Sequence, residues 1–231
     1  MVRKLYLVPI IHTSADMGSL ASALEAGAVI GLGHELWRRH KDIVSGFWHS
    51  VARFFDSIDA KGFKVYQDGL VADGFDGLRI VREGIGQGSK NYELIGKLLE
   101  RDAVLVKTED FGLVKQERDY ILKIAQAKSL KEKETAALRY KLAQSKLLRQ
   151  RDNFITTRID ETLKEGETGI LFIGAYHDIL SKLPDDILVS QVKDVAKVQE
   201  YHKALPNMKK ANPRLQRLAD YLVSPIVSVP S

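Results

Sequence analysis

Cysteine is absent from this 231-residue chain, which excludes disulfides and thiolate metal sites. Any metal would therefore need His, Asp or Glu ligands. The chain also lacks an apolar run of the roughly eighteen residues that a membrane span requires, and its first residues lack the long apolar segment of a secretory signal. We therefore expect a cytoplasmic protein without membrane contact, because a chain without cysteine suits a reducing compartment.

Proline and glycine are both missing over residues 113–165. This stretch consists mainly of Lys, Glu, Gln, Leu, Ala and Arg, which are strong helix formers. Within it, Ser129 and Glu132 form an S-x-x-E capping box, so a first helix should end and a second should begin there. We predict one α/β domain over residues 1–231, with a helical hairpin inserted at about residues 114–165.

The positive charge of the chain is concentrated in this predicted hairpin. Residues 115–151 contain eleven basic and four acidic side chains, whereas the whole chain has a net charge of only +5. A non-enzymatic binding or scaffolding protein that contacts nucleic acid or an acidic partner through this face is therefore an alternative to an enzyme. Interspersed acidic residues and the lack of an aromatic stacking ladder argue against nucleic acid. The hairpin also has apolar positions that could pair two copies of the chain as a homodimer: Leu138, Leu142, Leu148, Phe154, Ile155, Ile159 and Leu163.

Four short apolar segments, each typical of a buried strand, run directly into polar residues. The segments are LYLVPII before His12, FKVY before Gln67 and Asp68, AVLVK before Thr108, Glu109 and Asp110, and GILFIGAY before His177 and Asp178. LRIVREG and ILVSQV are predicted as further strands. These patterns predict an α/β fold with a mostly parallel central sheet flanked by helices. Ligands bind at the carboxyl ends of the strands in such sheets, so the polar residues mark a candidate site.

Three other segments have their own signatures. Apolar residues recur at helical spacing from His34 to about Ala60, and Gly62 stops the pattern. Residues 84–90 read GIGQGSK, which suits a flexible loop, with phosphate binding as an alternative. The segment after Asp220 carries no charge and contains two prolines, so we expect it to lie along a groove or a sheet edge rather than form a helix.

Two of these motifs resemble a known superfamily. GAYH ends at His177 after a predicted strand, and the helix before that strand contains Gln150, Arg151 and Asp152. This combination resembles the TraB, Tiki, ChaN and erythromycin-esterase superfamily, in which a helix carrying E-R-D or E-R-N precedes a strand that ends in G-x-x-H. An amino-terminal strand of that superfamily ends in a similar motif, which PIIH, ending at His12, matches in its histidine only.

The resemblance implies a hydrolase that uses metal-assisted or direct acid/base chemistry on a small molecule or peptide. The implied metal ligands are His12, His177 and a carboxylate from Asp68 or Glu109, which together could hold a divalent ion that activates water. Without a metal, His177 beside Asp178 could act as a general base. The resemblance also implies that Arg151, next to Asp152, faces the sheet edge and binds an anionic substrate group. In the simplest alternative, both histidines merely hydrogen-bond neighbouring loops.

Overall fold

The computed structural model describes residues 2–13, 33–205 and 213–227. Five strands form one parallel sheet in the order β3-β2-β4-β1-β5. The strands are β1 (Arg3–Ile10), β2 (Lys64–Gln67), β3 (Val104–Val106), β4 (Thr168–Gly174) and β5 (Ile187–Gln191). The predicted α/β class with a parallel sheet is confirmed.

Seven helices lie in the described residues. They are α1 (His34–Asp56), α2 (Gly74–Gly86), α3 (Lys90–Leu99), α4 (Phe111–Ala125), α5 (Leu130–Thr162), α6 (Val195–Ala204) and α7 (Pro213–Val223). None of them is long and apolar enough to cross a membrane. The predicted helical hairpin is the α4–α5 pair, which lies between β3 and β4 in the chain.

The two faces of the sheet carry separate cores because side chains alternate along a strand. In β1, Val8 and Ile10 pack in the larger core, which includes Phe47, Trp48 and Phe55 of α1. Leu5 and Leu7 point to the opposite face and pack against α5. The indole Nε1 of Trp48 donates a hydrogen bond of 3.1 Å to the carbonyl of Ile11, which fixes the chain just before His12.

The hairpin is anchored at one end. All the buried residues of α5 lie from Leu147 onward, and Ile155 and Ile159 belong to the core on that face of the sheet. Helix α4 contains no buried residue and packs mainly on α5. The capping box is present: Ser129 Oγ accepts from the amide of Glu132, whose carboxylate accepts from the Lys128 amide at 2.9 Å.

The apolar positions suggested for a homodimer fall into two groups, one exposed on the outer half of α5 and one buried in the core. Leu138 and Leu142 are exposed, whereas Ile155, Ile159 and Leu163 are used by the core of the chain itself. Pairing of two copies, if it uses the hairpin, therefore depends on the outer half of α5.

Two secondary-structure predictions are wrong. LRIVREG, residues 78–84, lies in helix α2, because the small and apolar residues Gly77, Val81 and Gly84 of this helix recur at helical spacing and face inward. A Cβ at position 84 would lie 2.3 Å from a ring carbon of Tyr92, so glycine is what allows α2 to approach α3 this closely. The segment after Asp220 begins inside α7, which ends at Val223 before the first proline. Residues 228–231 lie outside the described residues.

The GIGQGSK segment also differs from an open loop. Residues 84–86 complete α2, and Ser89 caps α3 by accepting from the amide of Tyr92. Only a short turn separates the two helices.

Candidate active site

The carboxyl edge of the sheet opens into a cleft of about 610 Å³. His12 follows β1, Asp68 follows β2, Gly174 ends β4 and His177 follows it, and all four line this cleft. The wall opposite the sheet comes from α2, α4 and α5. Parallel strands β1 and β4 are direct neighbours, with Ile10 opposite Gly174, so the two histidines come to one rim. The sequence prediction that His12 and His177 share a sheet edge therefore agrees with the structure.

His177 is held between two carboxylates. Its Nδ1 lies 2.6 Å from Asp152 Oδ1, and its Nε2 lies 3.5 Å from Asp68 Oδ2. Only 5% of the His177 side chain is exposed. Burial alone lowers the pKa of this imidazole, but the Asp68 and Asp152 carboxylates outweigh burial and raise it to about 9. His177 is therefore protonated at neutral pH and carries a proton on each ring nitrogen.

Asp152 orients His177 from helix α5. Its second oxygen accepts from the backbone amide of Asp178 and from Lys182 Nζ, both at 3.2 Å. The side chain of Asp178 is exposed, and the partner of the histidine is Asp152 rather than its sequence neighbour. Asp178 contributes its backbone N–H to this contact.

Arg151 sits at the centre of a buried acidic group. Its guanidinium bonds to Asp68 at 2.5 Å and also to Glu109 and Glu117. Only 7% of its side chain is exposed, so in this arrangement Arg151 neutralises carboxylates of the chain itself.

Two carboxyl groups around Arg151, those of Glu109 and Asp68, have pKa values shifted in opposite directions. Burial raises the pKa of Glu109 to about 7 in spite of its contact with Arg151. Burial also opposes ionisation of Asp68, but the positive charges of His177 and Arg151 hold the pKa of Asp68 far below its usual range. Asp68 is therefore the permanent anion at the cleft.

Glycine at position 174 permits the approach of Asp68. The Gly174 amide donates to Asp68 Oδ2 at 3.0 Å, and a Cβ on this residue would lie 3.1 Å from the same oxygen. The first residue of the GAYH motif thus matters for the position of a carboxylate at the end of the neighbouring strand β2, as well as for the turn that presents His177.

The residues suggested as metal ligands are only partly brought together. In the described residues, no group of three or more His, Asp or Glu side chains is arranged to hold a metal ion. Glu109 is completely buried behind Arg151, and the guanidinium already binds oxygens of both Asp68 and Glu109. The donor set therefore fits a guanidinium better than a divalent ion.

Two residues of the site were not anticipated from the sequence. Glu117 reaches Arg151 from α4, and Lys182 reaches Asp152 from the segment after β4. Nothing in their local sequence distinguishes them, since both are charged residues in polar surroundings. The sequence feature that pointed to charged partners at this place was the pair Arg151 and Asp152, which are adjacent on a buried turn of α5.

Comparison with protein-family models, with curated proteins and with solved structures found no match for this chain. The chemistry of the cleft is therefore argued from its own geometry.

Proposed function

We propose that the chain is a hydrolase whose reaction takes place in this cleft, in line with its resemblance to the TraB, Tiki, ChaN and erythromycin-esterase superfamily. The observation that carries the proposal is His177, fixed between Asp152 and Asp68 at the cleft and facing the same space as His12. A buried, doubly anchored imidazolium at a strand end is costly to maintain, which supports a chemical role over a purely structural one.

In the proposed reaction His177 is the general acid. Asp152 fixes the ring through Nδ1, and the proton on Nε2, which faces Asp68 Oδ2 at 3.5 Å before substrate binds, passes to the departing atom of the substrate. His12, exposed at the rim of the same cleft, takes a proton from the attacking water. The water oxygen bonds to the electrophilic centre, the bond to the leaving atom breaks, and solvent returns the two histidines to their starting states.

This assignment replaces the general-base role that the sequence suggested for His177. An imidazole with a raised pKa is already protonated at neutral pH, so it is in the form that donates a proton rather than the form that accepts one. A divalent metal would have to compete with Arg151 for Asp68 and Glu109, so we favour the metal-free form of the reaction.

The test is turnover of a panel of p-nitrophenyl esters and phosphoesters by the purified protein. His177→Asn keeps a donor toward Asp152 but lacks the Nε2 proton, and we expect it to lower kcat by about 10²–10⁴-fold. His49→Ala removes an exposed histidine of α1 and serves as the matched control. Activity should also fall as the pH rises through about 9, because His177 then loses its proton. Equal turnover by wild type and His177→Asn would remove His177 from the mechanism.

We place this activity in the cytoplasm because the chain has no cysteine. A homodimer formed through the exposed leucines of α5 is compatible with the proposal, because Leu138 and Leu142 lie outside the cleft. Sedimentation at several protein concentrations measures that association.

A further inference from the structure

Glu117 differs from the other carboxylates of the site. Asp68, Glu109 and Asp152 lie at strand ends or on the buried part of α5, and their side chains are 13%, 0% and 3% exposed. Glu117 lies on α4, a helix without a buried residue, and its side chain is 21% exposed and lines the cleft. It is therefore the carboxylate that the fold holds least firmly.

The contact of Glu117 occupies one terminal nitrogen of Arg151. Glu117 Oε2 bonds to NH1, whereas Asp68 and Glu109 share NH2 and Glu109 also contacts Nε. Without Glu117, NH1 would face the cleft with a free donor. Tyr140 of α5 holds the second oxygen of Glu117 with a hydrogen bond of 2.8 Å. A carboxylate of the chain thus occupies NH1, the guanidinium nitrogen that Asp68 and Glu109 do not bind.

The charges of the described site also allow Glu117 to be exchanged for another anion. The carboxylates of Asp68, Glu109, Glu117 and Asp152 face the positive groups Arg151, His177 and Lys182. An incoming anion that displaces Glu117 replaces one negative charge with another, so the Arg151 guanidinium stays paired after the exchange.

The remaining wall of the cleft combines the polar side chains of Glu83, Gln87, Arg118 and Gln144 with an apolar and aromatic part. Ile80 and Tyr92 line it from α2 and α3, Ile121 from α4, Leu148 from α5, and Tyr176 from the strand end. A ligand with a carboxylate at Arg151 would place its organic part against these side chains.

We propose that Glu117 is an internal substitute for the carboxylate of a small organic anion, which binds NH1 of Arg151 once Glu117 and helix α4 move aside. The inference rests on the proposed function in taking this cleft as the substrate site, and it names the class of substrate. Arg151 then binds an anion, as expected from the sequence, but through NH1 alone.

The experiment measures binding of phenylacetate and of its uncharged analogue phenylacetamide to the full chain by calorimetry or NMR titration. Glu117→Gln keeps the size of the side chain and an acceptor for Tyr140 but removes the competing charge. We expect it to bind phenylacetate at least tenfold more tightly than wild type does, with no matching gain for phenylacetamide. Tyr140→Phe, which removes the hydroxyl that holds Glu117, should give a smaller change in the same direction.

Asp119→Asn is the control, because Asp119 lies on the same helix but pairs with Lys115 on the surface. It should bind both compounds as wild type does. Phenylacetate affinity that is the same in Glu117→Gln and wild type, or equal gains for the acid and the amide, would overturn the inference. Since the readout is binding, this result is independent of whether hydrolysis is detected.

Discussion

Replacing Arg151 with methionine tests the electrostatic core of the site. Methionine fills much of the same volume without charge, so the variant leaves Asp68, Glu109 and Glu117 without their common partner. Removing one member of a buried ion pair costs about 3–5 kcal/mol, because the remaining charge is buried unpaired. We expect a loss in this range at pH 8 in urea denaturation followed by tryptophan fluorescence.

The stability lost in Arg151→Met should depend on pH. In the wild type the pKa of Asp68 is lowered on folding, so its stabilising contribution is present above about pH 4 and is lost as the pH falls below that value. Burial raises the pKa of Glu109 to about 7 even in wild type, so Glu109 takes up a proton on folding and lowers stability as the pH rises from about 4 to about 7. Without Arg151 the pKa of Glu109 rises further, so in the variant this loss of about 1.4 kcal/mol per pH unit continues above pH 7. The difference from wild type is therefore larger at pH 8 than at pH 5.

The matched control is Arg139→Met, since Arg139 is an exposed residue of the same helix. It should change the free energy of unfolding by less than about 0.5 kcal/mol. A loss below about 1 kcal/mol for Arg151→Met, or the same loss at pH 5 and pH 8, would refute the description of Arg151 as the buried counterion of these acids.

Three further outcomes are expected. Asp152→Asn should lower the pKa of His177 toward its ordinary value, and an NMR titration in which the variant matches wild type would contradict the role of Asp152. Gly84→Ala should cost about 1–3 kcal/mol because the new methyl group meets the Tyr92 ring, whereas Gly86→Ala, with open space around it, should not destabilise the chain; thermal unfolding compares the two. EDTA should leave turnover unchanged because a guanidinium already neutralises the acids of the site; loss of activity that Mn²⁺ restores would support a metal-assisted reaction instead.

Much of the sheet edge could be predicted from the sequence. Strands β1 and β4 are nearly continuous apolar segments, as buried parallel strands require, and polar residues follow them directly. This pattern predicted that His12 and His177 would meet. The capping box at Ser129 likewise marked the start of α5, because a cap depends on residues only a few positions apart.

The sequence did not predict contacts that depend on packing between distant elements. LRIVREG has β-branched residues in an order that suits a strand, but the structure turns Val81 and Gly84 inward at helical spacing, with Gly84 close against Tyr92 of the next helix. The partner of His177 was assigned to Asp178, its neighbour in the chain, whereas Asp152 occupies that position across the structure. Glu117 was not anticipated because its role depends on how α4 lies against α5.

An NMR titration of ¹⁵N-histidine-labelled protein measures the protonation of His177 directly, with the signal assigned by its loss in His177→Asn. We expect this imidazole to titrate near pH 9. A midpoint at or below the ordinary value of about 6.5 would contradict it, since burial without effective help from Asp68 and Asp152 gives that result.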